Sequence, residues 1–288
     1  MKIVFFIALL AIIGCFFIPF RYKVKLNAHA LGAYKGKTYT NAKEAFFDNY
    51  ENGFRYFEID ISITKDGHFV ISHEVEKVSQ LTKEEFLTVS DDLTPMTLTD
   101  MFNLMKNKPD ITVMFDFLPS FYNRQLSSDI VRAFLQQFDK SLYERSIIEV
   151  YSKQHALSLK ESGFRNIQLW VDPDDEKGDF HSITDYQKFL EENDIHIISA
   201  SKWTLQKYDI TPLLNKDLTV FSVGYNNIDD LKWGQKNHVN IITTDFLQPN
   251  MLKYPLYNYI KYSILKLVSS GEKKEYYRMK KKIMKGII

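Results

Sequence analysis

Short apolar runs rich in β-branched and aromatic residues alternate with longer amphipathic segments along most of this chain. Such runs, bounded by turn and loop residues, are typical of buried β-strands. We therefore predict strands at residues 24–28, 55–61, 111–117, 147–151, 167–171, 196–200, 218–223 and 240–244. The segments between them predict helices at residues 42–52, 98–106, 127–138, 153–162, 183–192 and 228–236, near Leu205, and after Pro249.

Eight strands that alternate with helices predict the α/β class and a (β/α)8 TIM barrel. The alternative is an open doubly wound sheet, which usually has a glycine-rich phosphate loop after its first strand. No such loop follows residues 24–28. Thr97 precedes the helix predicted at 98–106, and Asn226-Asn227 precede the one at 228–236. We expect these side chains to cap the two helices.

The carboxyl ends of the predicted strands carry most of the side chains that could perform chemistry. In a TIM barrel the active site is built at these ends. The residues at or just after them are His29, Glu58, Asp60, Asp116, Glu149, Trp170, Asp172, Lys202, Tyr225 and Asp245.

Glu58 and Asp60 lie two residues apart on one predicted strand, so both carboxylates point to the same face. Buried charges of one sign are costly unless a positive group meets them. Asp116 ends the next barrel strand and adds a third carboxylate, a set of hard oxygen ligands that suits Mg²⁺ or Ca²⁺. The alternative is a salt-bridge layer in which Arg55 or Lys202 neutralises the acids.

Two histidines strengthen the prediction of a reactive site. His29 ends the first strand, and His73 ends the returning arm of a hairpin whose turn is Asp66-Gly67. That hairpin brings His73 back towards the carboxylates. A histidine pair can act as general acid and general base near neutral pH.

The motifs between His29 and Glu74 follow one another in a recognisable order. They are His29-Ala30-Leu31-Gly32, Thr40-Asn41-Ala42 before Ala45-Phe46, Glu58-Ile59-Asp60, Thr64-Lys65-Asp66-Gly67 and His73-Glu74. In order and spacing they resemble the glycerophosphodiester phosphodiesterase family, a branch of the phospholipase-C-like phosphodiesterases with (β/α)8 barrels. That family reads His-Arg-Gly, Glu-Asn-Thr, Glu-x-Asp, Thr-x-Asp-Gly and His-Asp. Asp116 and Thr243-Thr244-Asp245-Phe246 extend a weaker resemblance through the barrel.

The resemblance implies a hydrolase that cleaves phosphodiesters with a bound divalent cation. It implies His29 and His73 as the acid/base pair and Glu58, Asp60 and Asp116 as the metal ligands. Lys202, Trp170 and Tyr225 are our candidates for substrate binding. The expected partners are a phosphodiester, either a glycerophosphodiester or a lipid head group, and the membrane, with no nucleic acid.

Two departures from the family pattern concern the phosphate. Ala30 stands where the family has an arginine, and Leu118 stands where it has a lysine after the third metal ligand. An arginine at the first position could clamp a phosphate with two hydrogen bonds. Lys35, Lys37 or Lys202 are the candidate replacements. The departures leave two alternatives open: a degenerate barrel that binds a phosphorylated or sugar ligand, and a lyase or phospholipase-D-like activity on lipid head groups.

Residues 3–20 carry no charge and are rich in Ile, Leu and Phe. A membrane-spanning helix needs about 20 apolar residues, and no small-residue cleavage site follows, so residues 1–23 predict an uncleaved single-pass anchor in the cell membrane. A cleaved signal peptide and lipidation at Cys15 are the alternatives. The cluster Arg21, Lys23 and Lys25 favours a cytoplasmic body, whereas the resemblance to anchored relatives favours an extracytoplasmic barrel.

Composition separates the chain into a body and a basic tail. The 288 residues have 45% hydrophobic content, one cysteine and a net charge of +1, which excludes a disordered chain and a disulfide scaffold. Residues 251–288 hold ten Lys and Arg but only two Glu. We therefore predict a barrel over 24–250, and a last helix with a basic tail over 251–288 that faces anionic lipid.

Overall fold

Eight parallel strands close into a barrel in the computed structural model, which describes residues 23–89, 92–118, 128–176, 178–214 and 217–250. Two further short strands pair outside the parallel set. In chain order the strands are β1 (Lys25–Ala28), β2 (Tyr56–Ile63), β3 (Phe69–Ile71), β4 (Met96–Thr97), β5 (Thr112–Asp116), β6 (Ser146–Val150), β7 (Ile167–Trp170), β8 (Ile197–Ser201), β9 (Thr219–Val223) and β10 (Ile241–Thr244).

The barrel order is β1, β2, β5, β6, β7, β8, β9 and β10, and β10 pairs with β1 to close the ring. This confirms the predicted TIM-barrel class. All eight predicted strands are present close to their expected bounds. The open-sheet alternative was wrong, because both edges of the parallel sheet are paired with each other.

Helices lie between the strands, as the amphipathic segments predicted. They are α1 (Lys43–Glu51), α2 (Val75–Val78), α3 (Lys83–Leu87), α4 (Leu98–Asn107), α5 (Ser128–Gln136), α6 (Lys153–Glu161), α7 (Ile183–Asn193), α8 (Lys202–Lys207) and α9 (Ile228–Lys236). Thr97 and Asn227 cap α4 and α9 as expected, each accepting a hydrogen bond from a backbone N–H of the first turn. Helices α2 and α3 were not predicted, because they are too short to show a helical period.

The hairpin predicted around Asp66-Gly67 is present. Strand β3 runs antiparallel to the end of β2, and β4 adds a second antiparallel partner that the sequence did not reveal. The last residues of β2, from Ile61 to Ile63, lie beyond its pairing with β5 and pair with β3. His73 follows the end of β3 by two residues.

The core lies mainly between the strands and the surrounding helices. Phe57, Ile59 and Ile61 alternate with the carboxylates of β2 and face outward, and all three are fully buried. Phe57 packs on Phe46 of α1 with ring centroids 4.8 Å apart. Since this outer face is apolar, the polar residues of the same strand are directed to the inside of the barrel.

Residues 1–22 and 251–288 lie outside the described ranges, and with them the predicted anchor, the last helix and the basic tail. Within the described ranges, no helix combines the length and apolar character needed to cross a membrane.

Candidate active site

A cavity of about 180 Å³ opens at the carboxyl ends of the barrel strands. Its walls combine acids, histidines, aromatic rings and small polar side chains. The lining residues are His29, Tyr39, Glu58, Asp60, His73, Met114, Asp116, Glu149, Tyr151, Gln168, Trp170, Ser199, Phe221, Ser222, Val223 and Thr243. A larger cavity of about 560 Å³ lies at the opposite end of the barrel, and its described lining residues include no carboxylate.

Glu58, Asp60 and Asp116 converge at one wall of this cavity. Each offers a carboxylate oxygen, and these oxygens all lie within 4.8 Å of one another. The strand register explains the convergence, because Asp60 and Asp116 are direct partners across β2 and β5. The three residues predicted as metal ligands are thus brought together.

Local hydrogen bonds fix two of these carboxylates. Glu58 accepts a short bond from the backbone N–H of Ala30. Asp60 accepts a 2.6 Å bond from Asn41 Nδ2, and its own backbone N–H donates to Asn41 Oδ1. Asn41 adopts a left-handed φ of 49°, a conformation that asparagine tolerates well. Asn41 belongs to the family-like motif, but the sequence alone did not assign it this positioning role.

The turn after β1 places the Ala30 donor. Ala30 and Leu31 have φ values of 45° and 69°, which are uncommon for residues with a side chain. Gly32 follows with φ 84°, and a Cβ atom there would lie 2.6 Å from Asn49 Nδ2, so the turn requires glycine. The strained backbone of this turn therefore contributes directly to the carboxylate cluster.

Burial and mutual repulsion of the three carboxylates favour the binding of a cation. Burial raises the pKa of Glu58 and of Asp116 well above their ordinary values, and neighbouring carboxylates raise both further. Among the described residues that line the cavity, none is Lys or Arg. The three carboxylates therefore fit a hard divalent ion, which would stabilise their charged forms.

The alternative of a salt-bridge layer does not match the structure. Arg55 binds Asp110 at 2.6 Å, and Lys202 is paired with Asp230. Among the described residues, neither cation is therefore available to neutralise the cluster.

His29 is held by a carboxylate at the end of β10. Its Nδ1 lies 2.9 Å from Asp245 Oδ1, and Asn226 Nδ2 donates to the other oxygen of Asp245 at 3.2 Å. Burial by itself lowers the pKa of His29, but the hydrogen bond and charge of Asp245 outweigh it, so the net shift is upward. His29 therefore has a partner that orients the ring and favours its protonated form.

Tyr39 lies between the two histidines. Its ring centroid is 4.6 Å from that of His29 and 4.7 Å from that of His73, with edge-to-face geometry on both sides. Its side chain is 46% exposed. Burial of the rest of the ring and the nearby carboxylates raise the Tyr39 pKa to about 12, so the phenol remains a hydrogen-bond donor. Tyr39 was not predicted as a site residue, because only the fold brings it between His29 and His73.

A fourth carboxylate, Glu149, also faces the cavity. It accepts hydrogen bonds from Tyr151, Gln168 and Ser199, and the Tyr151 hydroxyl also lies 2.9 Å from Asp116 Oδ1. Burial raises the pKa of Glu149. Its position at a strand end was visible in the sequence, but no motif distinguished it.

The three candidates for substrate binding have different surroundings. Trp170 lines the cavity, with its ring centroid 5.9 Å from that of Tyr151. Tyr225 is fully buried, its hydroxyl lies 3.1 Å from Ser222 Oγ, and it is not one of the residues that line the cavity. Lys202 is paired with Asp230 and is not a lining residue. Of the three, only Trp170 is placed to meet a ligand in the cavity.

Neither of the other two lysines considered as a replacement cation lines the cavity. Lys37 is paired with Asp92 at 3.6 Å, and Lys35 lies over the ring of Tyr34. Ala30 and Leu118, which replace the family's arginine and lysine, are both buried. Among the described residues that line the cavity, the histidines are therefore the basic side chains that could contact a phosphate.

Comparison with known proteins gives the family. A model described as the glycerophosphoryl diester phosphodiesterase family matches residues 33–249. No curated protein matches the chain in sequence.

Solved structures share the fold. A glycerophosphodiester phosphodiesterase from Parabacteroides distasonis is 16% identical with a TM-score of 0.63, covering 84% of this chain and 100% of its own. The enzyme from Thermotoga maritima is 17% identical with a TM-score of 0.59, covering 78% and 96%. An Oleispira antarctica phosphodiesterase in complex with the product sn-glycerol-3-phosphate is 13% identical with a TM-score of 0.59, covering 82% and 95%.

Proposed function

This chain belongs to the glycerophosphoryl diester phosphodiesterase family, whose members hydrolyse phosphoric diesters, and on that premise we propose that it is a metal-dependent glycerophosphodiester phosphodiesterase. The observation that supports this best is one cavity that holds both histidines and all three candidate metal ligands. A phosphodiester would bind in this cavity, with its phosphorus beside the carboxylate cluster and within reach of both His29 and His73.

Glu58, Asp60 and Asp116 are the proposed ligands of a divalent ion, Mg²⁺ or Ca²⁺. When bound, such an ion polarises the phosphodiester and neutralises developing negative charge. The hydrogen bonds from Ala30 and Asn41 hold two of the ligands in place before the ion arrives. This preorganisation supports a resident metal site rather than a chance cluster of acids.

His29 is the proposed general acid and His73 the proposed general base. The raised pKa of His29 favours the protonated ring that a general acid needs. His73 takes the proton of the attacking hydroxyl, that oxygen bonds to phosphorus, and the bond from phosphorus to the leaving alcohol breaks. His29 then donates its proton to the departing alkoxide. The attacking group is either water or a neighbouring hydroxyl of the substrate. Attack by the substrate hydroxyl first gives a cyclic phosphate, which water then hydrolyses.

The substrate contacts are proposed from what lines the mouth of the cavity. Trp170 offers an apolar face for the organic part of the diester, and Tyr39 offers a phenol donor next to both histidines. The Oleispira antarctica phosphodiesterase holds sn-glycerol-3-phosphate. By analogy with it, we propose glycerophosphodiesters as the substrate class here.

The proposed location is the outer surface of the cell membrane. Residues 3–20 have the apolar length of a single-pass anchor, and the basic residues of 251–288 are suited to anionic head groups, at roughly 1 kcal/mol per Lys near such a surface. Phosphodiesters derived from lipids would be available at that surface. The proposed extracytoplasmic position of the barrel rests on resemblance to anchored relatives. The basic residues Arg21, Lys23 and Lys25 after the anchor would by themselves favour a cytoplasmic barrel.

A panel assay of the full-length chain tests the function. Glycerophosphodiesters, lysophospholipids and phosphatidylinositol would be offered after chelator treatment and then with added Mg²⁺ or Ca²⁺. We expect metal-dependent release of glycerol phosphate from glycerophosphodiesters, and its near loss in His29→Ala and His73→Ala.

Other outcomes would point elsewhere. A cyclic phosphate that accumulates from lysophospholipids would indicate a lyase. Tight binding of a phosphodiester without turnover would indicate a degenerate binding barrel, an outcome favoured by the lack of Lys and Arg among the lining residues that the structure describes. Equal activity of His29→Ala and the parent would overturn the catalytic assignment.

A further inference from the structure

Asn226 and Asn227 are neighbours before α9, but their side chains contact different parts of the molecule. Asn227 caps the helix, and its side-chain oxygen accepts a hydrogen bond from the backbone N–H of Asp230 at 2.9 Å. Asn226 reaches instead to the end of β10 and to Asp245, which follows that strand. The sequence predicts helix capping for both asparagines, whereas the structure gives Asn226 different contacts.

Three hydrogen bonds fix the Asn226 amide against the end of β10. Its Oδ1 accepts from the backbone N–H of Asp245 and from the Thr244 hydroxyl, each at 3.0 Å, and its Nδ2 donates to Asp245 Oδ2 at 3.2 Å. A backbone N–H can only donate, so the amide oxygen must face it and the amide nitrogen must face the carboxylate. The Thr244 hydroxyl is itself held, because it accepts from the backbone N–H groups of Phe246 and Leu247. Asn226 therefore binds both the backbone and the side chain of Asp245.

Asp245 connects Asn226 to His29. Its Oδ1 lies 2.9 Å from His29 Nδ1, and its backbone carbonyl accepts a 3.0 Å hydrogen bond from the N–H of Ala33, in the turn after β1. A carboxylate only accepts hydrogen bonds, so Nδ1 keeps its proton and Nε2 is the nitrogen that releases or takes one. The side chains of His29 and Asp245 are only 14% and 16% exposed, so water competes little for this hydrogen bond.

We propose that Asn226 is a positioning residue for the acid/base reaction and acts on His29 through Asp245. This deepens the proposed function and rests on His29 being the general acid. In the reaction the Nε2–H bond of His29 breaks as the leaving alkoxide gains that proton, and Nδ1 keeps its own proton throughout. Without the Asn226 amide, the Asp245 carboxylate is free to rotate away from Nδ1, and the ring then turns or carries its proton on the other nitrogen. Asn226 thus keeps Nε2 available to the substrate.

A double-mutant cycle tests whether Asn226 acts through Asp245. For the full-length chain, kcat and KM would be measured with glycerophosphodiesters and Mg²⁺ or Ca²⁺ in the parent, Asn226→Ala, Asp245→Ala and the double variant. We expect Asn226→Ala to lower kcat by about ten- to a hundredfold with KM nearly unchanged, because a displaced acid slows the chemical step. In the Asp245→Ala background the same substitution should change kcat by less than about twofold, since the carboxylate that it orients is gone.

The neighbouring asparagine supplies the matched control. Asn227→Ala removes the same amide one residue further along the chain, where it caps α9. It should lower the melting temperature, because the helix loses its cap, and leave kcat close to that of the parent. If Asn226→Ala does not fold, as judged by circular dichroism, Asn226→Ser takes its place in the cycle.

The tautomer of His29 can be measured without turnover. Nitrogen-15 NMR of the histidine rings distinguishes the two neutral tautomers, and the His29 signals are those lost in His29→Ala. We expect the neutral ring of the parent to carry its proton on Nδ1 alone. In Asn226→Ala we expect a mixture of the two tautomers, and in Asn227→Ala the spectrum of the parent.

The positioning role and the proposed function fail in different ways. An equal fall in kcat on Asn226→Ala with and without the Asp245 side chain, or an unchanged tautomer in Asn226→Ala, overturns the positioning role and leaves the proposed function standing. A parent that hydrolyses no phosphodiester overturns the proposed function, and the NMR measurement then still decides whether Asn226 orients the His29 ring.

Discussion

The inside of the barrel has two layers of opposite character on the same strands. Towards the amino ends of the strands it is apolar, with Met114, Ile147, Phe221 and Ile241 buried together, and Met114 and Phe221 of this group also border the cavity. Towards the carboxyl ends it is acidic and polar, and this layer forms the cavity. On β6, for example, Ile147 and Glu149 are only two residues apart and point the same way.

The contrast shows where stability and function are concentrated. Removing apolar surface from water stabilises the barrel, at about 25 cal/mol per Å² buried. Collecting carboxylates in a buried cavity opposes folding until a cation binds, because burial disfavours the charged forms. The amino-end layer therefore stabilises the fold. The carboxyl-end layer lowers the stability of the metal-free protein but provides the ligands for a cation.

The largest expected effect is on catalysis at the carboxyl end. Replacing His29 with Ala should lower kcat/KM by about 10²- to 10⁴-fold, since it removes one acid/base group. The free energy of unfolding should fall by less than for a large core truncation, because the ring lies at the cavity and its main loss is the hydrogen bond to Asp245. Steady-state kinetics and urea denaturation measure the two quantities. If His29→Ala lost stability but kept the kcat/KM of the parent per folded molecule, the carboxyl-end layer would be needed for the fold and not for catalysis.

A change in the amino-end layer should do the opposite. Ile147→Ala should lower the free energy of unfolding by about 2–5 kcal/mol, the usual cost of a large core truncation. Ile147 is buried in the apolar layer and does not line the cavity. We therefore expect kcat/KM to remain within a few-fold of the parent. If urea denaturation showed Ile147→Ala to be as stable as the parent, the apolar layer would not be the main source of stability.

The pH dependence of stability should also separate the layers. In the metal-free protein, burial raises the pKa values of Glu58, Asp60, Asp116 and Glu149 in the folded state above those of the unfolded chain. These groups contribute stability below their unfolded pKa, about 4, and lose it as pH rises through the folded pKa values.

The metal-free chain should therefore become less stable as pH rises above about 4, whereas saturating Mg²⁺ should remove or reverse this trend. Thermal unfolding with and without chelator measures it. As a control, Ile147→Ala should lower stability at every pH without changing the slope. Identical pH profiles with and without metal would show that the acids do not hold a cation.

The sequence was enough to predict the fold and the convergence of the main site residues. Strand periodicity gave the barrel, and the TIM-barrel rule then placed Glu58, Asp60 and Asp116 at one end. Contacts between distant segments were not predictable. Asp245 meets His29 across 216 residues of chain, and Tyr39 reaches both histidines through a loop with left-handed residues. Tyr225 shows the converse, since a strand-end position did not guarantee access to the cavity.

The smallest expected effect concerns Tyr39, which belongs to neither layer and covers the acidic one. If its phenol donates to the substrate phosphate, Tyr39→Phe loses one hydrogen bond, which is worth about 0.5–1.5 kcal/mol and corresponds to roughly a two- to tenfold fall in kcat/KM. The loss should appear mainly in KM, because the edge-to-face contacts with His29 and His73 are retained. Tyr39→Ala removes those contacts too and should also lower kcat. Equal kinetics for the parent and Tyr39→Phe, with a defect only in Tyr39→Ala, would limit this residue to positioning the histidines.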